Sequence, residues 1–85
     1  MASISVKVGS SVGLHARPAA IISEKAGELE AHVTLAVPGG NEVDAASSLL
    51  IMTLGASCGD EVIVSSDDDA AAHVIADLVA EDLDA

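Results

Sequence analysis

The chain has 85 residues, which suits one small domain over residues 1–85, and its three basic and fourteen acidic side chains give a formal net charge of −11. This charge excludes nucleic acid as a direct partner, because the Lys and Arg residues that neutralise phosphates are missing. It also disfavours binding to anionic membrane surfaces. Phe, Tyr and Trp are absent, so the core must be packed from aliphatic side chains alone.

The cysteine and histidine content argues against disulfides and metals. Cys58 is the only cysteine, which fits a reducing compartment, and no secretory leader or run of eighteen apolar residues is visible. We therefore expect a cytoplasmic protein. His32 and His73 have no neighbouring ligand at metal-binding spacing, and we read both as surface residues. No cofactor or metal site is predicted.

The first half of the chain alternates between strand and helix patterns. Residues 3–8 have apolar side chains at every second position, which predicts a half-buried strand, and a flexible loop is predicted over residues 9–13. From Ala16 onwards the apolar spacing is helical, and Gly27 marks the expected end of the helix within about two residues. The predicted inner stripe of this helix is Ala19, Ile22, Ala26 and Leu29.

A hairpin and a short helix are predicted next. Residues 32–37 alternate again, residues 38–41 read Pro-Gly-Gly-Asn as in a turn, and residues 42–44 predict a short strand. Residues 46–54 form a compact apolar segment that Gly55 follows, which is typical of a short helix with a glycine after its C-cap.

A fourth strand and a last helix complete the order β-α-β-β-α-β-α. Residues 61–65 predict the strand, and the three aspartates at 67–69 supply an N-cap and first-turn carboxylates for the helix. Its predicted inner stripe is Val74, Ile75, Leu78 and Val79. The pattern indicates an α+β open-faced sandwich with the helices on one face, and a first β-α-β crossover that leaves room for another strand between its two.

One segment combines residues that suggest chemistry. Residues 13–20 read GLHARPAA, and Arg17, the only arginine, lies two residues from His15 where a loop becomes a helix. A helix N-terminus presents unpartnered amides, and Pro18 fits its first turn. The amides of Ala16 and Arg17 and the guanidinium could cradle a phosphoryl group on the His15 ring. The same residues also allow a purely structural interpretation, in which the His15 ring forms hydrogen bonds with nearby groups and Arg17 pairs with a carboxylate.

Two motifs in this chain resemble those of a known family. Residues 13–19, GLHARPA, resemble the active-site signature of HPr, the histidine-containing phosphocarrier of the bacterial phosphoenolpyruvate-dependent sugar phosphotransferase system. Residues 43–55, VDAASSLLIMTLG, are similar to the serine-site motif of that family, and the spacing between the two motifs also agrees. Length and element order match as well. The resemblance implies a four-stranded antiparallel sheet covered on one face by three helices.

The resemblance also implies a function. His15 would be phosphorylated on Nδ1 by enzyme I, with phosphoenolpyruvate as the ultimate donor, and would pass the group to sugar-specific enzyme IIA proteins. Arg17 would stabilise the transferring group, so the chain would be a carrier and not a turnover enzyme. We expect a monomer that docks transiently. The apolar residues implied for docking are Ala16, Ala20, Leu49 and Met52.

A second candidate site is Ser47, which matches the regulatory serine that HPr kinase/phosphorylase modifies in many Gram-positive relatives. Ala46 replaces a lysine often found before that serine, and Ser48 replaces an apolar residue often found after it. A simple helix-capping role is equally compatible with this serine. For the whole chain, the sequence also allows a paralogue in a nitrogen-linked or dihydroxyacetone-kinase phosphorelay, or a regulatory binding module that acts through Ser47 on a transcription factor or an enzyme.

Overall fold

The computed structural model describes residues 2–11 and 13–81, so Val12 of the predicted loop lies outside the described residues. The strands are β1 (Ala2–Lys7), β2 (Val33–Ala36), β3 (Val43–Asp44) and β4 (Glu61–Ser66). The helices are α1 (Ala16–Glu28), α2 (Ser48–Thr53) and α3 (Asp69–Ala80). The element order β-α-β-β-α-β-α is the one that the sequence predicts.

The four strands form one antiparallel sheet in the order β1-β4-β2-β3. Strand β4 lies between β1 and β2, which confirms that the first β-α-β crossover leaves room for another strand. The register places Val64 of β4 opposite Ile4 on one side and Leu35 on the other, and Leu35 in turn faces Val43. These four side chains therefore form one apolar row across the sheet.

One face of the sheet is covered by the helices and the other is open. Along β1, Ser3, Ser5 and Lys7 are exposed, while the alternate residues are half-buried and pack against the core. Side chains from all three helices and from the inward face of the strands join in one aliphatic cluster. Its fully buried larger members are Ile22, Leu35, Ile51, Val62, Val64, Ile75 and Val79. The open-faced sandwich is thus confirmed.

The buried face of helix α3 includes two of the four residues of the predicted inner stripe. Val74 and Leu78 are only half-buried. The buried residues of the helix are Ala71, Ala72, Ile75, Ala76 and Val79. Three alanines on the inner face let the helix backbone approach the strands closely, and this favours the small residues over the larger ones. The prediction was right for Ile75 and Val79, right in part for Leu78, which packs against the core while half-buried, and wrong for Val74.

The other two helices differ from their predictions only at their ends. Leu29 is the C-cap of α1 and half-buried, whereas the rest of the predicted stripe is buried. Helix α2 begins at Ser48, later than predicted. Ala46 and Ser47 lie outside it because Asp44 accepts a hydrogen bond from each: its Oδ1 from Ala46 N at 2.9 Å and its carbonyl from Ser47 N at 3.1 Å.

Among residues 2–11 and 13–81, no helix combines the length and apolar character that a membrane span requires.

The chain comes very close to the end of α3 just after β1. The Gly9 amide donates to the Val79 carbonyl at 3.0 Å. A Cβ added at Gly9 would lie 2.0 Å from the carbonyl oxygen of Ala80, whereas a Cβ added at Gly27, inside α1, would meet nothing within 4 Å. Only glycine therefore fits at position 9, while the glycine in α1 is not required by packing.

These two glycines give opposite predictions for substitution by alanine. Gly9→Ala should lower the free energy of unfolding by about 2 kcal/mol or more, because backbone must move to admit the new methyl group. Gly27→Ala should raise it by about 0.5 kcal/mol, because alanine loses less entropy in a helix. Urea unfolding followed by far-UV circular dichroism measures both, since the chain has no aromatic residue for fluorescence. Equal stability in Gly9→Ala and the wild type would contradict the close approach.

Candidate functional site

His15 stands at the start of the first helix. It is the N-cap of α1 with an extended backbone (φ −89°, ψ −163°), and its carbonyl accepts the first helical hydrogen bond from Ala19 N at 2.9 Å. Its side chain makes no capping hydrogen bond, and the residue is exposed. An N-cap residue usually turns a side-chain oxygen back onto the helix amides. Here the imidazole is accessible from solvent and does not bind the helix amides.

The first turn of α1 offers free donors to an anion. Within the described ranges 2–11 and 13–81, the amides of Ala16 and Arg17 donate no hydrogen bond. Pro18 has no N–H to satisfy and is buried, so it completes the turn without leaving another orphan donor. The first turn carries no acidic residue. The positive end of the helix dipole is therefore open to negative charge beside the His15 ring.

Arg17 is the cation nearest to His15 in sequence. Its side chain is exposed, and it forms no ion pair with any carboxylate in the part of the chain that the structure describes. The ion pair found there joins Lys25 to Glu28 at 3.8 Å, towards the other end of α1. In a chain with a net charge of −11, a guanidinium that pairs with none of the described carboxylates is available for a ligand.

Two residues before His15, the backbone packs tightly against the connection between α2 and β4. Gly13 has a φ of +78°, and a Cβ there would lie 2.5 Å from the Ala56 carbonyl oxygen and 3.0 Å from the Cα of Ser57. The Leu14 amide donates to that same Ala56 carbonyl at 3.0 Å, and the Leu14 side chain is 3% exposed. The segment that carries His15 is thus anchored by a buried side chain and a backbone hydrogen bond.

Exposed apolar residues occur on α1 and α2, which contact each other. Ala16 and Ala20 are exposed on α1, and α2 exposes Leu49 at 68%, Leu50 at 40% and Met52 at 37%. Ile51 alone is buried in α2. We call these five exposed residues the apolar patch. A single buried position in a helix with almost only apolar residues leaves the others to solvent, and such patches often mark interaction sites.

With this geometry, comparison with known proteins identifies the family. A family model described as PTS HPr component phosphorylation site matches residues 2–81. The phosphocarrier protein HPr of Streptomyces coelicolor is 44% identical over an alignment of 87 residues, which covers 99% of this chain and 94% of that protein. HPr of Mycoplasma pneumoniae is 34% identical over 67 residues, 79% of this chain and 76% of that protein. The chain belongs to the HPr family of phosphocarrier proteins.

Solved HPr structures have the same fold. The crystal structure of HPr from Bacillus anthracis aligns with a TM-score of 0.84 at 27% identity, over 92% of this chain and 95% of that one. HPr-C-His from Thermoanaerobacter tengcongensis aligns with a TM-score of 0.82 at 30% identity, over 93% and 91%. The four-stranded antiparallel sheet with three helices, expected from the resemblance of two motifs, is confirmed by both.

The serine of the second HPr-like motif has a structural role in this chain. Ser47 is the N-cap of α2, and its Oγ accepts a hydrogen bond from Leu50 N at 3.3 Å. Ser47 and Ser48 are both half-buried. Capping is therefore observed, and phosphorylation of Ser47 stays a prediction.

The remaining residues with reactive side chains lie outside this arrangement. His32 is exposed just before β2, His73 is exposed on α3, and Cys58 is an exposed free thiol in the turn before β4. Within residues 2–11 and 13–81, no three His, Cys, Asp or Glu residues are grouped so that they could hold a metal ion.

Leu50 is the one member of the apolar patch that the resemblance did not single out. The run of four apolar residues at positions 49–52 of α2 is the signal that could have indicated it.

Gly13 and Gly55 allow the close contact beneath His15 to be tested with a matched control. Both have a positive φ, +78° and +66°, but a Cβ at Gly55 would meet nothing within 4 Å. Gly55→Ala should cost only the backbone strain, about 1 kcal/mol of unfolding free energy. Gly13→Ala should cost about 1–3 kcal/mol more, because the new methyl group collides with the Ala56 carbonyl. Urea unfolding measures the difference, and equal losses in the two variants would show that the contact is not tight.

Proposed function

We propose that this member of the HPr family carries a phosphoryl group on Nδ1 of His15. The group would come from the phosphohistidine of enzyme I, with phosphoenolpyruvate as the ultimate donor, and pass to sugar-specific enzyme IIA proteins in carbohydrate uptake. The single observation that carries the proposal is the exposed His15 ring at a helix start, beside two amides and an arginine that neither donate to nor pair with any described residue. The family membership supports it.

The proposed transfer is a displacement at phosphorus. The lone pair of the neutral His15 Nδ1 attacks the phosphorus, an N–P bond forms there, and the N–P bond to the donor imidazole breaks with its electron pair returning to that ring. The guanidinium of Arg17 and the amides of Ala16 and Arg17 stabilise the charge on the phosphoryl oxygens. Transfer to enzyme IIA repeats the same displacement with His15 as the leaving group.

A carrier must release its group as readily as it accepts it. The phosphoryl group would lie at the surface, because His15, Ala16 and Arg17 are all exposed. Hydrogen bonds at an exposed helix start are weaker than those in a buried site, so they hold the group without trapping it. The chain would thus act stoichiometrically, as a protein substrate of two successive transfers and not as an enzyme.

We assign partner docking to the apolar patch. Its members Leu49, Leu50 and Met52 lie on α2, and Ala16 and Ala20 lie on α1 within two turns of His15. A small, mostly apolar surface favours short-lived complexes, which suit a monomer that must meet enzyme I and enzyme IIA in turn. We also propose that residues 1–85 act as a single domain in the cytoplasm.

Phosphorylation by enzyme I tests the proposal directly. With phosphoenolpyruvate and enzyme I, the wild type should gain one acid-labile phosphate, visible by intact mass, and His15→Ala should gain none. His73→Ala, which removes an exposed histidine on α3, is the matched control and should be phosphorylated as the wild type is. Arg17→Ala should slow the transfer on the order of 10²-fold, because an oriented donor to the phosphoryl oxygens is lost. Phosphate retained in His15→Ala would overturn the assignment.

The choice of partner separates the proposal from a paralogue in a nitrogen-linked or dihydroxyacetone-kinase phosphorelay. Such a paralogue would use the same chemistry on His15 and differ only in its donor and acceptor. Phosphorylation by the enzyme I of that relay, with none by the sugar-system enzyme I, would favour the paralogue.

Regulation through Ser47 is the second candidate function, favoured by the position of this serine at the start of α2 within the matching motif. Incubation with HPr kinase and ATP should add one phosphate to the wild type and none to Ser47→Ala. Ser47→Ala should also lower the free energy of unfolding by about 1 kcal/mol, because the cap is lost, whereas Ser48→Ala should change it little. An unchanged mass of the wild type would remove the regulatory function and leave only the cap.

A further inference from the structure

The turn between α2 and β4 is held by one aspartate. The Asp60 amide donates to the Ser57 carbonyl at 2.9 Å, and Asp60 Oδ2 accepts a hydrogen bond from the Ser57 amide at 2.9 Å. Between them, Gly59 has a φ of +88°, as the third residue of a type II turn requires. Asp60 therefore closes the turn with two hydrogen bonds to Ser57, one through its carboxylate and one through its backbone amide.

Residues 56–60 form hydrogen bonds with both ends of the loop between β1 and α1, which leads to His15. Near β1, Val8 N donates to the Asp60 carbonyl and Gly59 N donates to the Val8 carbonyl, both at 2.9 Å. Near α1, the Leu14 amide donates to the Ala56 carbonyl at 3.0 Å. The two ends of the loop that leads to His15 are therefore bound to residues 56–60.

The contact with Gly13 makes the position of Ser57 important for His15. The space that a Cβ at Gly13 would fill is bounded by the Ala56 carbonyl oxygen at 2.5 Å and by the Cα of Ser57 at 3.0 Å. The amide of Ser57, one bond from that Cα, is the group that the Asp60 carboxylate binds. A shift of Ser57 would therefore be transmitted to Gly13 and Leu14 and displace the N-cap residue that follows.

The carboxylate has no competing role in the described residues. Asp60 is exposed, forms no ion pair within residues 2–11 and 13–81, and lies on neither helix of the apolar patch. We propose that Asp60 is a positioning residue for His15, which acts through Ser57 and the Ala56 carbonyl to hold the ring in place for phosphoryl transfer. This inference rests on the proposed function of His15.

Three variants separate the hydrogen bond from charge and from stability. Asp60→Ala removes the acceptor. Asp60→Asn removes the same charge but keeps an oxygen acceptor for the Ser57 amide. Asp68→Ala is the matched control, because Asp68 Oδ1 also accepts from backbone amides, those of Ala70 and Ala71, but at the start of α3.

The first readout needs no phosphorylation. Amide hydrogen exchange followed by NMR should show the Leu14 amide exchanging about 5- to 10-fold faster in Asp60→Ala, because the Ala56 carbonyl is no longer held in place. In Asp60→Asn and in Asp68→Ala it should exchange at the wild-type rate. Equal acceleration in Asp60→Ala and Asp68→Ala would overturn the inference, because Leu14 would then be released only by loss of overall stability.

The second readout is the rate of phosphorylation by enzyme I and phosphoenolpyruvate. Asp60→Ala should transfer on the order of 10-fold more slowly at saturating concentration, with an unchanged KM because the apolar patch is intact. Asp60→Asn and Asp68→Ala should match the wild type. A wild-type rate in Asp60→Ala, or a slow Asp60→Asn, would overturn the inference and leave the proposed function standing. A wild type that accepts no phosphate would instead overturn the proposed function, and Leu14 exchange would still decide whether Asp60 holds the loop.

Discussion

The structure depends on the close approach of backbone to backbone around the segment that leads to His15. On one side Gly9 lies against the end of α3, where a Cβ would meet the Ala80 carbonyl oxygen at 2.0 Å. On the other side Gly13 lies against the Ala56 carbonyl oxygen. Glycine at both positions lets a surface loop be held by main-chain contacts on either side. A reactive residue can therefore lie on a loop and still have a defined position.

The anchored loop holds the start of α1 in a defined position, where its amides and the Arg17 guanidinium can bind an anion. The His15 side chain does not cap the first amides of α1, so these amides can bind a ligand. Pro18 has no N–H and therefore reduces the number of donors that need a partner. The exposed Arg17 adds positive charge in a chain with fourteen acidic residues. In the proposed function, a guanidinium and two amides that donate to no described residue would bind the phosphoryl group moderately at one exposed place, as a carrier requires.

The fold was predictable from its periodicity, and the errors have a physical origin. Alternating and helical patterns located the elements to within about two residues, because each element has one face in a single aliphatic core. The predicted inner stripe of α3 was wrong at Val74, and Leu78 packs against the core only while half-buried. Periodicity gives weight to large side chains, whereas a helix that packs closely on a sheet prefers small ones, and only the packing reveals which effect prevails.

The sequence by itself determined the order of the elements, the aliphatic core and the place of His15 and Arg17 at a helix start, because these are set by local patterns and by two motifs. The tertiary structure decided how that helix start is supported. The contacts of Gly13 and Leu14 with Ala56, and the bond from Ser57 to Asp60, join the chain before α1 to the turn before β4. Main-chain hydrogen bonds select no particular side chains, and a glycine or an aspartate in a loop does not reveal which distant segment it contacts, so this support could not be predicted from the sequence.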